Sequence, residues 1–164
     1  MTLHAFKTAL ALLVCFVFTG CARFPSPRVE LHGTNTITIH YSDNYGLRRF
    51  AQHPIIEATI NGVTGPFVID TGTTIPILTM TGARRCGISP SLQPALKGDT
   101  WGSEIDMKMA TNVSLQLAPG FVVHWSKVLV HPGEDVTFGT LDYGTLKAGH
   151  AVIDIKQKTL TMTK

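Results

Sequence analysis

The strongest candidates for catalytic residues are an aspartate, a threonine and a glycine that follow an apolar run. Residues 67–69 are Phe, Val and Ile, and Asp70, Thr71 and Gly72 come directly after them. Aromatic and β-branched side chains favour a strand, whereas glycine takes backbone angles that other residues avoid. The order predicts a buried strand that delivers one carboxylate to a turn, and such loops are common places for catalysis.

The full pattern, apolar-apolar-Asp-Thr-Gly-Thr-Thr, resembles the active-site loop of aspartic peptidases of the small, single-domain, retropepsin-like kind. The resemblance implies a role for each residue. Asp70 would hold the nucleophilic water, the Thr71 hydroxyl would lock two active-site loops together, and Gly72 would let the loop turn tightly. Thr73 would support the same loop. The implied activity is hydrolysis of peptide bonds by an aspartate-activated water.

The segments that precede this loop predict a hairpin that positions it. Residues 55–60 have an apolar strand pattern, Asn61-Gly62 is a strong signal for a tight turn, and residues 65–70 return as the second strand. Bacterial retropepsin-like domains resemble this arrangement just before their catalytic loop. After the loop, Thr79 is expected to cap a brief helix that ends at Cys86-Gly87.

The rest of the chain favours an all-β fold. Alternating or short apolar patterns predict strands over residues 34–41, 75–78, 104–109, 113–117 and 121–130, and residues 89–97 are expected to form a loop. The resemblance implies that a strand containing Gly139 crosses behind the catalytic loop, followed by a short helix that includes Gly144. A hairpin of residues 151–155 and 159–162 would close the fold. The expected architecture is a small closed β-barrel of the retropepsin-like type, an acid-protease half-domain, with one or two short helices.

A glycine-containing hairpin is expected between the short helix and the long strands. Trp101, Gly102 and Ser103 resemble the aromatic-Gly-small tip of a flap, the hairpin that closes over bound peptide in these enzymes. In that role Trp101 would cover the substrate and exclude water. The competing interpretation is that Trp101 is a turn aromatic that rests on the wall of the barrel.

One carboxylate cannot perform this reaction, which needs two carboxyl groups that share a proton. The chain contains one Asp-Thr-Gly; Val152-Ile153-Asp154 repeats the start of the pattern, but Ile155 and Lys156 follow where Thr and Gly should be. Asp154 is therefore interpreted as a polar position in the final hairpin. A twofold homodimer that contributes Asp70 twice is the economical solution.

Other functions have weaker support. His124, His131 and Glu134 match no compact metal motif, so neither a metal nor a cofactor is expected. No Gly-x-Ser-x-Gly elbow is present for serine hydrolysis. The alternative that remains is an envelope lipoprotein of the same fold that binds peptide or protein, or serves structurally, without catalysis.

The N-terminal segment predicts export. Residues 1–20 have the weakly basic start and apolar core of a signal peptide, and Phe18-Thr19-Gly20-Cys21 resembles the lipobox at which bacterial lipoproteins are cleaved and acylated on cysteine. Ordinary cleavage after Ala22 is the alternative. Residues 21–33 would then be the lipidated N-terminus and tether, and residues 34–164 the peptidase domain. The expected location is the bacterial envelope, facing the periplasm from the outer membrane, with a soluble periplasmic protein as the alternative.

Charge and cysteine content limit the partners. Loss of residues 1–20 removes Lys7 and no acidic residue, so 13 basic and 11 acidic side chains remain, a formal charge of +2. This balance indicates no nucleic-acid partner. With Cys15 removed and Cys21 acylated, Cys86 has no intrachain disulfide partner and is expected to be buried behind a helix. The expected partners are a peptide or protein substrate, a second copy of the chain, and a membrane reached through Cys21.

Overall fold

The computed structural model describes residues 24–41, 53–100 and 103–163, which form twelve strands and two short helices. The strands are β1 (Arg28–Leu31), β2 (Asn35–Thr38), β3 (His40–Tyr41), β4 (Pro54–Ile60), β5 (Val63–Asp70), β6 (Ile77–Thr79), β7 (Leu96–Thr100), β8 (Ser103–Ala118), β9 (Phe121–His131), β10 (Gly139–Asp142), β11 (Val152–Asp154) and β12 (Thr159–Met162). The helices are α1 (Met80–Arg85) and α2 (Tyr143–Ala148). The predicted all-β fold with two short helices is confirmed.

The larger sheet of the described residues contains nine strands and returns on itself. Its order is β1-β9-β6-β10-β5-β4-β8-β7, with β3 beside β4, and β8 also pairs with β9. This last pairing closes a ring of six strands, β9, β6, β10, β5, β4 and β8. The core fills the ring with large buried side chains that include Trp125, Phe67, Phe121 and Phe138.

A second, three-stranded sheet has the order β11-β12-β2 and contains the predicted C-terminal hairpin. The single strand predicted over residues 34–41 is divided between the two sheets: β2 pairs with β12, whereas β3 pairs with β4. Ile39 lies between them, and its N–H donates to the carbonyl of Lys158 at 2.8 Å. The prediction that residues 34–41 are extended was right. The alternation of polar and apolar residues could not show that the pairing strand changes from β12 to β4.

The hairpin that leads to Asp70 forms as predicted. β4 and β5 pair from Ile55↔Val68 to Ile60↔Val63, and Asn61 and Gly62 turn between them with φ of 50° and 79°. Asparagine and glycine are the residues that tolerate this left-handed turn. The short helix also forms as predicted, because Thr79 caps α1 by accepting a hydrogen bond from Gly82 N–H at 3.0 Å.

Two segments differ from the predictions. The tether predicted over residues 21–33 contains β1, which pairs antiparallel with β9, so the sheet begins before residue 34. The loop predicted over residues 89–97 ends earlier, because Leu96 and Lys97 already pair with β8. The backbone N–H groups of Ser91 and Ala95 also donate to carbonyls of β8, at 2.7 Å each. Both segments acquire their structure from a distant partner strand.

Close packing at Gly139 lets β10 lie between β5 and β6. Gly139 pairs with Phe67 on one side and Leu78 on the other. A Cβ added to Gly139 would lie 2.3 Å from the backbone oxygen of Ile77, which is far inside van der Waals contact. Because the neighbour is backbone, it cannot move aside as a flexible side chain could.

Because the clashing atom is backbone, we expect Gly139→Ala to lower the free energy of unfolding by about 2–3 kcal/mol, the upper part of the range for overpacking. Urea unfolding of the purified protein measures it. Gly62→Ala is the matched control, because an added Cβ there meets nothing within 4 Å and only the left-handed backbone is strained, at a cost of about 1 kcal/mol. A Gly139 variant that is no less stable than the Gly62 variant would contradict the packing argument.

Candidate active site

Asp70 is the last residue of β5, and the strand determines how its side chain is exposed. Phe67 and Ile69 are buried in the core at 0% and 5% exposure, whereas Val68 and Asp70 on the other face are half-buried. Successive side chains of a strand point to opposite faces. The carboxylate therefore lies on the face directed away from the core. Its place at the end of the strand, where the loop begins, is as predicted.

The loop after Asp70 is held by a hydrogen bond to that carboxylate. Gly72 N–H donates to Asp70 Oδ1 at 2.8 Å. Gly72 does not use the left-handed backbone conformation that glycine tolerates, because its φ is not positive. What favours glycine is space: an added Cβ would lie 3.2 Å from Asp70 Oδ1, which is a tight contact.

The two threonines of the loop have different environments. Thr71 is exposed and lines a cavity of about 290 Å³ together with residues of α2 and the segment after it, among them Tyr143. The carbonyl of Thr73 accepts a hydrogen bond from Tyr143 N–H at 2.8 Å, whereas its buried hydroxyl has no partner among the described residues. Thr73 therefore supports the loop through its backbone, and Thr71 is available to a group outside the chain.

A second aspartate, which the sequence analysis missed, lies directly beside Asp70. β10 pairs in parallel with β5, and the register places Asp142 opposite Asp70. The expectation that a strand containing Gly139 lies behind the loop after Asp70 is confirmed. The residue of that strand opposite Asp70 is Asp142. Asp142 is fully buried at 0% exposure. The sequence carried a signal for it, because Asp142-Tyr143-Gly144-Thr145 repeats the spacing of Asp70-Thr71-Gly72-Thr73.

Both oxygens of Asp142 are occupied by donors from its own chain. As the N-cap of α2, it accepts a hydrogen bond from Gly144 N–H on Oδ2 at 3.0 Å, and the Thr145 hydroxyl donates to Oδ1. Desolvation by burial raises the pKa of the Asp142 carboxyl, and the hydrogen bonds from Thr145 and Gly144 oppose this in part. Glycine is favoured at position 144 because an added Cβ would lie 2.7 Å from Asp142 Oδ2.

Asp142 is therefore unsuited to be the second carboxylate of a shared pair. It is sealed from solvent and its oxygens are used. Asp154 lies in the other sheet, at the end of β11, where Oδ1 accepts from Gln157 N–H at 2.8 Å. The interpretation of Asp154 as a polar hairpin residue is confirmed.

The predicted flap corresponds to the hairpin of β7 and β8. Their register runs from Leu96↔Met107 to Thr100↔Ser103, so Ser103 pairs at the end of the hairpin. Trp101 and Gly102 connect the two strands in sequence and lie outside the described residues. The hairpin itself is confirmed, and the role of Trp101 stays a prediction.

The remaining candidate ligands have separate partners. His124 contacts Glu30 and also Ser114, with 2.9 Å between Nδ1 and Oγ. His131 Nδ1 accepts a hydrogen bond from Gly133 N–H at 2.9 Å. Glu134 binds the Thr81 hydroxyl and Arg84, so the three candidate ligands have different partners. Within residues 24–41, 53–100 and 103–163, no three histidine, cysteine or acidic side chains are arranged to hold a metal ion. Cys86 is buried at 3% exposure beside α1, as predicted.

Cys21 and the predicted signal peptide lie outside the described residues. In the part of the chain that is described, no helix is both long and apolar enough to span a membrane.

Comparison with known proteins decides the family. The model of the family described as aspartyl protease matches residues 56–146, more than half of the 164-residue chain. The chain belongs to the aspartyl protease family. The matched region begins in β4, contains Asp70 and Asp142, and ends in α2.

Solved structures show the same fold. A retropepsin-like aspartic protease from Rickettsia conorii is similar with a TM-score of 0.51 and 22% identity, covering 85% of this chain and 95% of that one. The EIAV protease, solved with the inhibitor HBY-793, is similar with a TM-score of 0.50 and 18% identity, covering 68% and 98%. At these identities the likeness establishes a retropepsin-like fold for this member of the aspartyl protease family. No match was found among curated proteins.

The buried carboxyl of Asp142 predicts a pH-dependent contribution to stability. Because burial raises its pKa above the ordinary value of 3.8, the folded protein keeps the proton over a range of pH in which the unfolded chain has lost it. The unfolded state then binds fewer protons, so the free energy of unfolding falls as the pH rises through this range. Asp142→Asn removes the titration.

The measurement is urea unfolding of both proteins from about pH 4 to about pH 7. We expect the stability of the wild type relative to Asp142→Asn to decrease as the pH rises. Asp154→Asn, at an exposed strand end, controls for the change in net charge. Parallel stability curves for the wild type and the Asp142 variant would contradict the shift.

Proposed function

We propose that the protein is an aspartic endopeptidase that hydrolyses peptide bonds as a homodimer, with Asp70 contributed by each chain. The observation that carries the proposal is the contrast between the two neighbouring aspartates. Asp70 is half-buried at a strand end, with one hydrogen bond from Gly72, whereas Asp142 is buried with both oxygens occupied. Of these two neighbouring aspartates only Asp70 is usable, so within the described residues this site supplies one carboxylate to a reaction that needs two.

In the proposed reaction two Asp70 carboxyls share one proton, because close like charges cannot both ionise. The ionised carboxylate takes a proton from water as the water oxygen attacks the peptide carbonyl carbon. The protonated carboxyl gives its proton to the carbonyl oxygen. The carbon–nitrogen bond then breaks as the carboxyl that took the water proton gives it to the amine nitrogen. The other carboxylate takes a proton from a hydroxyl of the tetrahedral carbon, so the carboxylic acid product forms and the pair again holds one proton. No metal or cofactor is required in this scheme.

Exposed groups beside Asp70 support association of two chains at this site. Thr71 is exposed although it adjoins the catalytic loop, and Tyr143, which lines the same cavity, is 47% exposed. The other residues that line this cavity include Leu146, Ala151 and Ile153, which are apolar. A second copy would cover this apolar surface and bring its own Asp70 and Thr71 to the loop. In this proposal Trp101, Gly102 and Ser103 form the flap tip over bound peptide.

The shared site predicts how mixtures of wild type and Asp70→Asn behave. The variant alone should not cleave peptides, because an amide can neither accept the water proton nor share one. If chains exchange freely, an equal mixture should retain about one quarter of the wild-type activity at the same total concentration, whereas independent monomers would retain about one half. Cleavage of a mixed peptide library at acidic pH measures both.

Asp154→Asn serves as the matched control in the same mixtures, because it removes one carboxylate from a residue outside the site. Sedimentation at the assay concentration gives the oligomeric state. Equal cleavage by the wild type and Asp70→Asn would refute the mechanism. A fully folded dimer without any activity would favour the alternative of a peptide-binding or structural lipoprotein.

We further propose that the protein is exported in a bacterium, acylated on Cys21 and anchored in the envelope facing the periplasm. The support is the signal-like segment 1–20 and the lipobox-like residues 18–21. A membrane-bound position would also raise the local concentration of chains and favour the dimer.

The anchor proposal predicts labelling by radioactive palmitate in bacterial cells that express the full chain. Cys21→Ala should abolish the label and release the protein into the soluble periplasmic fraction. Cys86→Ala is the matched control and should keep the label, because Cys86 is buried. Palmitate on the Cys21 variant, or a soluble wild type, would refute the anchor.

A further inference from the structure

Asp142, the aspartate opposite Asp70, is a fully buried carboxylate, and its role as a helix cap does not explain why a carboxylate is there. A cap needs one short polar side chain, and serine, threonine or asparagine would serve. Burying a carboxylate is costly unless every oxygen is well bonded. Asp142 is at 0% exposure, and its described hydrogen-bond donors, the backbone of α2 and the Thr145 hydroxyl, are all neutral groups.

A carboxylate is needed because two donors converge on Asp142 from different directions. Gly144 N–H points at Oδ2, and the Thr145 hydroxyl points at Oδ1. Serine or threonine has one oxygen for these two donors. Asparagine has one oxygen, and its amide nitrogen can only donate, so it cannot accept both bonds. Among short side chains, the carboxylate accepts both bonds at once.

The direction of the hydrogen-bond chain is fixed by its first member. Trp125 Nε1 lies 2.9 Å from Thr145 Oγ1, and indole nitrogen can only donate. The Thr145 hydroxyl therefore accepts from Trp125 and has its own hydrogen available for Asp142. Trp125 is at 1% exposure within β9, so the chain starts in the core and ends at the carboxylate opposite Asp70.

The same turn contacts the catalytic loop. The residue after Asp142, Tyr143, donates its N–H to the carbonyl of Thr73 at 2.8 Å. The next residue, Gly144, is close to the loop as well, because an added Cβ would lie 3.5 Å from the carbonyl of Thr74. A shift of the turn at Asp142 would therefore shift Thr73 and Thr74, and with them the segment that holds Gly72 N–H against Asp70.

We propose that Asp142, held by Thr145 and Trp125, is a positioning residue that fixes the loop carrying Asp70 through the bond from Tyr143 to Thr73. It does not touch the reacting atoms. The inference rests on the proposed function of Asp70 and adds the element that sets its geometry. A displacement of about 1 Å in such a group can lower the rate about a hundredfold.

The test compares full-length wild type with Asp142→Asn and with a pair of variants at Thr145. Asp142→Asn and Thr145→Val should lower kcat by about tenfold to a hundredfold with KM changed less than about twofold, because geometry and not affinity is lost. Thr145→Ser keeps the hydroxyl and should restore most of kcat. Asp154→Asn, which removes a carboxylate from the other sheet, should leave kcat unchanged. Sedimentation and unfolding confirm that each protein is folded and dimeric under the assay conditions.

Amide hydrogen exchange gives a readout that does not need activity. In Asp142→Asn and Thr145→Val we expect faster exchange at Tyr143 N–H and Gly72 N–H, with little change at Gln157 N–H in the final hairpin. Unchanged exchange at both Tyr143 and Gly72 would overturn the inference, even if the wild type proved inactive. Unchanged kcat, a loss confined to KM, or no recovery in Thr145→Ser would overturn it in an active protein. A wild type that equals Asp70→Asn refutes the proposed function separately.

Discussion

Residues 139–142 of β10 pair in parallel with residues 67–70 of β5, and this pairing places two aspartates at one edge of the sheet. The strands are separated in sequence by β6, α1, the β7–β8 hairpin and β9. Parallel neighbours need such long connections. The hydrogen bond from Tyr143 to Thr73 therefore joins two segments that most of the ring separates in sequence.

Elements whose signals lie within a few residues could be predicted from the sequence. Asn61-Gly62 specifies its own turn, Thr79 caps its own helix, and the apolar residues of 121–130 form β9, in which burial alternates from Phe121 to Trp125. The strand β1 could not be predicted, because two prolines precede it and its structure comes from pairing with β9. The start of β7 could not be predicted either, because its residues have the composition of a loop and are extended only through pairing with β8.

The sequence predicted the part of the candidate site that can be recognised from residue types. It did not predict the part that depends on the pairing register of two strands. Asp70, Thr71 and Gly72 form a recognisable pattern, and the structure places them in one loop at a strand end. Asp142 carried a weaker pattern, because Tyr143 replaces the threonine of the Asp-Thr-Gly sequence. The resemblance already placed the strand of Gly139 behind the loop that carries Asp70. The register of β10 against β5, which the sequence alone does not specify, is what shows that Asp142 lies opposite Asp70.

The two turns share the pattern Asp-x-Gly-Thr, and the position of the threonine hydroxyl determines what each carboxylate can do. In the second turn the chain enters α2, and the Thr145 hydroxyl bonds to Asp142 and saturates it. In the first turn the chain continues as a loop, and the Thr73 hydroxyl makes no hydrogen bond within the described residues. Gly72 N–H then occupies one oxygen of Asp70, and Oδ2 has no partner in that part of the chain. The same four-residue pattern thus yields a buried anchor in one place and a carboxylate with a vacant acceptor oxygen in the other, which is the property that a shared proton or an attacking water requires.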